Sequence, residues 1–222
     1  MSNPGLKQHA KDWVKGLLDH RLVHYHVERP ANGVMLTFDD GPDPELTPRV
    51  LDLLDEHDAH GTFFIIGERA EQAPELVGEI HRRGHLLANH SWTHLNEFRG
   101  GGYSFGQYLE EIQRCQALVK SLTGGFETYL FRPPRGELNH TTIAATLWSG
   151  HDIVHWSLEG GEWADREAAS ASEIADFLVS TLQPRDIVLL HDDNEKTLGA
   201  LESMLPIARE RQYDLAQHSL LR

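Results

Sequence analysis

Cysteine is almost absent: Cys115 is the single one in 222 residues. A lone cysteine makes no internal disulfide, so the fold must rest on its core, and the sequence suits a reducing compartment. Positive charge is scarce too. Twenty Lys and Arg face 34 Asp and Glu, a formal charge of −14. Nucleic-acid binding needs a basic footprint, so this balance argues against that class of partner. It equally disfavours anionic membranes and polyanions unless a local basic patch offsets it. Long apolar runs are missing, and none approaches the roughly 20 residues of a membrane span. The opening MSNPGLKQHAKDWVKGLLDH lacks the apolar stretch and cleavage site of a secretion signal, which points to the cytoplasm. Leu6, Ala10, Trp13, Val14, Leu17 and Leu18 fall at helical spacing and read as a helix packed on the domain. Repeats and Pro/Ser linkers are also missing. The chain reads as one domain, 1–222, with 1–30 as a helical or extended N-terminal extension.

What is present in excess is histidine, fifteen in all. Metal binding, acid–base chemistry and a solvated surface all use it. Around the histidines, β-branched apolar runs alternate with helical patterns. Strands are expected at Val34–Phe38, Thr62–Ile66, His85–Asn89, Thr128–Phe131, Ile153–Leu158, Ile187–His191 and Tyr213–Gln217. Helices are expected from Thr47-Pro48, over Pro74–Arg83, from Ser104 to Gly124-Gly125, and over Asn139–Trp148, Ser172–Leu182 and Thr197–Gln212. Alternation of this kind implies parallel βαβ units, in a doubly wound sheet or a (β/α) barrel.

The unusual polar residues gather where the expected strands end. Asp39-Asp40, His90 with His94, Arg132, Glu159 with Glu162, and His191-Asp192 each follow an apolar run. Core packing does not produce that pattern, whereas the C-terminal ends of parallel strands form an active-site face. It favours one shared site on a closed barrel. Singly, the signals are weak. His90-x-x-x-His94 puts two imidazoles on one face if the turn is helical, yet a chain rich in His carries such spacings by chance. Adjacent acids before Gly41-Pro42 also suit a plain turn. Together, two His and one carboxylate leave open positions on a metal, as hydrolytic zinc sites require, and the second carboxylate is left to serve as a base.

Five ordered motifs carry a resemblance. They are Thr37-Phe38-Asp39-Asp40-Gly41-Pro42, His90-Ser91-Trp92-Thr93-His94, Arg132-Pro133-Pro134-Arg135-Gly136, Trp156 with Glu162-Trp163, and Leu189-Leu190-His191. This set resembles the polysaccharide deacetylases, carbohydrate esterase family four. The resemblance implies a distorted (β/α) barrel of about seven units with its site at the C-terminal strand ends. It implies Asp39 as general base, Arg132 as its orienting partner, and Asp40, His90 and His94 as ligands of zinc, with cobalt or nickel as substitutes. His191 is implied as general acid, with an acid of the fourth motif behind it and Glu162 preferred over Glu159. Leu189 lines the acyl pocket, Trp163 and Arg135 contact substrate, and the backbone N–H of residue 135 faces the oxyanion.

Two places depart from the family pattern. The fourth motif carries Glu159 and Glu162 where aspartates are usual, a longer reach to His191. The third carries Arg135 where an aromatic is usual. That removes a stacking wall and adds a cation, which suits a phosphate or carboxylate on the substrate but equally an ion pair with Glu137 or Glu159. The expected activity is removal of N-acetyl groups from an amino-sugar polysaccharide or oligosaccharide. Rivals are O-acetyl ester removal from xylan, deacylation of a lipid-linked sugar, and silent carbohydrate or metal binding. Asp192-Asp193 reads as a turn, Gly100-Gly101-Gly102 as a connector, and Trp92 as groove wall or packing.

Overall fold

Five consecutive buried residues, Met35–Asp39, form strand β2, and the same holds for β3, Gly61–Ile65. Such strands are covered on both faces, which parallel sheets require. The computed structural model describes residues 23–28, 30–94, 103–161 and 169–215. The N-terminal helix expected around Leu6–Leu18, Glu162, Trp163 and the glycine connector lie outside the described residues.

The remaining strands are β1 (Val23–His24), β4 (Leu86–Asn89), β5 (Leu130–Phe131), β6 (Asp152–Val154), β7 (Leu158–Glu159) and β8 (Ile187–His191). All ladders are parallel, in the order β1-β6-β5-β4-β3-β2-β8-β7. β6 and β7 sit toward opposite ends of that order, yet only three residues separate them in the chain. One stretch therefore pairs first with β5 and then with β8, and it curls the sheet into a distorted barrel. With β6 and β7 counted as one stave, the barrel has seven.

The expected strand Ile153–Leu158 is thus broken at 155–157, where the chain changes neighbours and Ser157 N–H bonds the carbonyl of Ile187. Tyr213–Gln217 is not a strand in its described part, which makes a single bridge from Asp214 to Gly33. Val23–His24 is the extra strand at the other end.

Among the described residues, seven α-helices cover the outside: α1 (Leu46–Glu56), α2 (Gly67–Gln72), α3 (Pro74–Arg82), α4 (Phe105–Leu122), α5 (His140–Trp148), α6 (Ala171–Thr181) and α7 (Glu195–Glu210). Their apolar faces dictate their seats. Val50, Leu51 and Leu54 of α1 and Leu198, Leu201 and Leu205 of α7 enter one core with Leu36, Phe38 and Leu190. Ser104 with Gln107, and Ser170 with Glu173, form capping boxes that start α4 and α6. Asn139 caps α5 by accepting from Thr141 and Thr142 N–H. The helix expected from Thr47-Pro48 begins one residue earlier, at Leu46. Thr47 lies inside the helix, and Asp43 accepts the N–H groups of Glu45 and Leu46.

Candidate active site

Parallel register aligns the polar strand ends. Asp39 pairs with His191 across β2–β8, Asn89 with Phe131 across β4–β5, and Glu159 with Leu189 across β7–β8. Of the next residues, Asp40 and His90 reach one mouth, while Arg132 and Asp192 are fully buried. A cavity of about 620 Å³ opens there, and its walls include Asp39, Asp40, His90, His94, Leu189 and His191.

Arg132 is the foundation of the site. It is fully buried, and its guanidinium is spent on the barrel interior. Nε donates to the Val154 carbonyl at 3.1 Å, Nη2 to the His155 carbonyl at 2.9 Å, and Nη1 to Thr37 Oγ1 at 2.8 Å and Asp39 Oδ1 at 2.6 Å. The Phe64 ring lies 4.1 Å below it. Burial pulls the Arg132 pKa down and the Asp39 carboxylate opposes the fall. A guanidinium still holds its proton, so Asp39 faces a fixed positive charge.

The group that could hold a metal ion is Asp40, His90 and His94, whose donor atoms all lie within 4.8 Å of one another. Asp40 Oδ1 stands 3.5 Å from His90 Nε2 and 3.4 Å from His94 Nε2. That oxygen is buried and has no hydrogen-bond partner among the described residues. His90 Nδ1 donates to the Arg132 carbonyl at 2.7 Å, which turns the lone pair of Nε2 toward Asp40. Burial lowers the His90 pKa to about 3, so the ring is neutral, the form that binds a metal. An unpartnered carboxylate oxygen facing two imidazole nitrogens fits a divalent ion with open positions.

The His pair does not sit on a helical turn, contrary to expectation. Residues 90–94 form an irregular turn, with Ser91 at φ 70° and His94 at φ 56°. Glu111 of α4 holds it: one carboxylate oxygen accepts Trp92 N–H (3.0 Å), Thr93 N–H (2.8 Å) and Thr93 Oγ1 (3.0 Å). Asn89 ties the other side by accepting Ser91 N–H and donating to the Ile112 carbonyl. Asp40 (φ 72°) and Arg135 (φ 58°) are left-handed as well. Non-glycine residues there cost roughly 1–3 kcal/mol each and cluster where function holds them.

A family model described as polysaccharide deacetylase matches residues 26–154. The chain belongs to the polysaccharide deacetylase family. A peptidoglycan-N-acetylglucosamine deacetylase of Bacillus cereus is 35% identical over 86% of this chain and 88% of its own. A chitooligosaccharide deacetylase of Sinorhizobium fredii is 31% identical over 82% and 88%. The solved structure of the Bc1960 peptidoglycan N-acetylglucosamine deacetylase superposes with a TM-score of 0.79 at 27% identity, over 96% of this chain and 99% of that one. Membership places the protein among hydrolases of amide bonds in acetylated amino sugars, a family in which metal dependence is typical. No helix among the described residues is long and apolar enough to cross a membrane.

Against this family pattern, Asp39, Asp40, His90, His94, Arg135, Leu189 and His191 all reach the cavity, and Arg132 lies directly behind it. Glu159 lines it too, whereas Glu162 and Trp163 are outside the described residues. Trp92 is packing, not groove wall. It is buried, with the Arg114 guanidinium 3.6 Å from its ring centroid, and it fills the space a side chain at Gly67 would need. Trp156 takes the place of a wall, stacked on His155 at 4.0 Å. Sequence reading missed the α2 rim residues Glu68, Arg69 and Gln72, because a six-residue helix carries almost no periodicity.

Proposed function

We propose that the protein is a zinc-dependent hydrolase that removes N-acetyl groups from an amino-sugar oligosaccharide or polysaccharide. The observation that carries this is the juxtaposition of the Asp40–His90–His94 donor set with the Arg132–Asp39 pair in one cavity. Zinc held by those three residues supplies Lewis acidity toward the acyl oxygen and acidifies water at neutral pH.

The chain's own groups do the rest. Asp39 is the base. Its Oδ1 is fixed by Arg132, and its Oδ2 lies 3.6 Å from His90 Nε2, one of the groups that would hold the metal. It takes a proton from the attacking water. The backbone N–H of Arg135 donates to the developing oxyanion. His191, level with Asp39 on the neighbouring strand, donates a proton to the departing amine, without which an amide does not break. A carboxylate of the fourth motif supports that ring. Glu162 is the sequence candidate, and Glu159, which lines the cavity wall, is the alternative. Leu189 takes the acetyl methyl, Arg135 contacts the sugar, and Trp163 is assigned to the groove by resemblance alone.

Silent binding is disfavoured because base, ligands, orienting arginine and acid are all present. The test is acetate release, with zinc supplied, from chitin oligomers, peptidoglycan and acetylated xylan. Release from the amide substrates in preference to xylan is expected. Zinc bound with no acyl release from any of them would replace this reading with a binding protein.

A further inference from the structure

The two acids after His191 look like a solvated turn, and they are not. Asp192 is fully buried, and its Oδ2 accepts the Thr47 hydroxyl at 2.5 Å. Thr47 Oγ1, also buried, accepts the N–H of Asp43 at 2.7 Å. Asp43 Oδ1 in turn accepts Glu45 and Leu46 N–H at 2.9 and 2.8 Å. One chain of hydrogen bonds thus runs from the end of β8 to the start of α1, across the turn that carries Asp39 and Asp40. Gly41 rests directly on the same carboxylate: a Cβ there would overlap both oxygens of Asp192. Only glycine permits that approach.

Asp193 turns the other way. Its Oδ2 accepts Arg69 Nη1 at 2.7 Å. Arg69 belongs to α2, whose first N–H groups, Gly67 and Glu68, donate to the Ser91 and Trp92 carbonyls at 3.0 Å. The second link therefore reaches the turn that carries His90 and His94.

We propose that Asp192 and Asp193 are positioning residues that lock the strand bearing His191 to the two turns bearing the metal ligands. This rests on the metal-site reading above. Asp192 Oδ1 is buried with no partner among the described residues, a costly arrangement for a turn whose only task is solubility. What the arrangement provides is a fixed seat for Gly41, and hence for the Asp40 carboxylate. An exposed acid pair would provide none.

The test compares zinc affinity, by competition with a chromogenic chelator, with the melting temperature of the metal-free protein. Asp192→Ala should weaken zinc binding about tenfold or more at a temperature where the variant is folded, and lower kcat with little change in KM. Asp192→Asn keeps an acceptor for Thr47 and should recover most of that affinity. Thr47→Ser should match wild type, and Thr47→Val should behave as Asp192→Ala. Asp193→Asn should give a smaller loss of the same kind. Zinc affinity unchanged in Asp192→Ala and Thr47→Val, with only the melting temperature lowered, overturns the proposal. If Asp192→Ala does not fold, the Thr47 pair decides alone. Wild-type protein that takes up no zinc defeats the metal-site reading itself, a result distinct from wild type and variants binding alike.

Discussion

Asp39 and Arg132 form a buried ion pair, and such pairs are asymmetric in their energetics. Their formation gains little net stability, but removal of one partner leaves an uncompensated charge at a cost of about 3–5 kcal/mol. Asp39→Asn therefore carries two expected losses. Turnover should fall by roughly 10²–10⁴-fold as the base disappears, and the melting temperature should fall because Arg132 is stranded. Zinc stoichiometry should stay at the wild-type value, since the proposed reading makes Asp39 the base and leaves it out of the ligand set. Full turnover in this variant would remove Asp39 as base. Asp192 gives a separate signature in pH. Burial pushes its carboxyl from 3.8 up to about 7, with Asp193 and Asp40 adding to the rise and the Thr47 hydroxyl opposing it. The unfolded chain ionises this group near its ordinary value and the folded chain only near 7. Between those pH values the folded state keeps a proton that the unfolded state has lost. Stability from this group therefore declines as pH rises through that window and is level above it. Asp192→Asn cannot ionise, so urea melts of the metal-free variant should show a shallower decline between about pH 4 and 7. Equal slopes for both proteins would contradict the buried, proton-holding carboxyl.

At the scale of elements, α4 does more than cover the sheet. Its N-terminus is fixed by the Ser104–Gln107 capping box, and its buried stripe, Tyr108, Ile112, Cys115 and Val119, fixes its rotation. That rotation points Glu111 at the 90–94 turn, where it takes three donors. The turn's two left-handed residues, Ser91 and His94, have little intrinsic preference for their geometry, so the carboxylate supplies what the local sequence does not. Glu111→Ala should weaken zinc binding about 10–100-fold, the usual cost of losing a partner behind a ligand. Glu111→Gln, which keeps one acceptor oxygen, should lose less. Chelator competition distinguishes them, and equal affinity in both variants would mean that the turn holds its own shape. The sequence offered no route to this residue. A glutamate on a long amphipathic helix, 18 residues from the turn it serves, has the look of any solvated face.

For the whole molecule, what was legible and what was not divide along one physical line. The strand cores were legible because burial on both faces demands apolar β-branched runs, as in Ile187–Leu190. Asp39, Asp40, His90, Arg132 and His191 were legible because each stands one or two positions past such a run. Asp192, α2 and the break at 155–157 were not. Their roles depend on which neighbour the curled sheet brings near, and no local pattern encodes that. The same view predicts how the protein responds to its metal. The mouth holds an Asp40 oxygen with no hydrogen-bond partner among the described residues and left-handed backbone at Asp40, Ser91 and His94, all costs of the folded state. On the proposed reading, zinc would bind only where strand ends from distant parts of the chain have met, and would favour the folded state by mass action. At about 100 times its Kd the gain is roughly 2.7 kcal/mol. For a chain of this length that corresponds to a rise in Tm of about 5–10 °C. Scanning calorimetry before and after chelation should record the difference, and His94→Ala should abolish most of it. A Tm indifferent to zinc in wild type, or an equal rise in His94→Ala, would mean that the ion binds elsewhere or binds the unfolded chain as well.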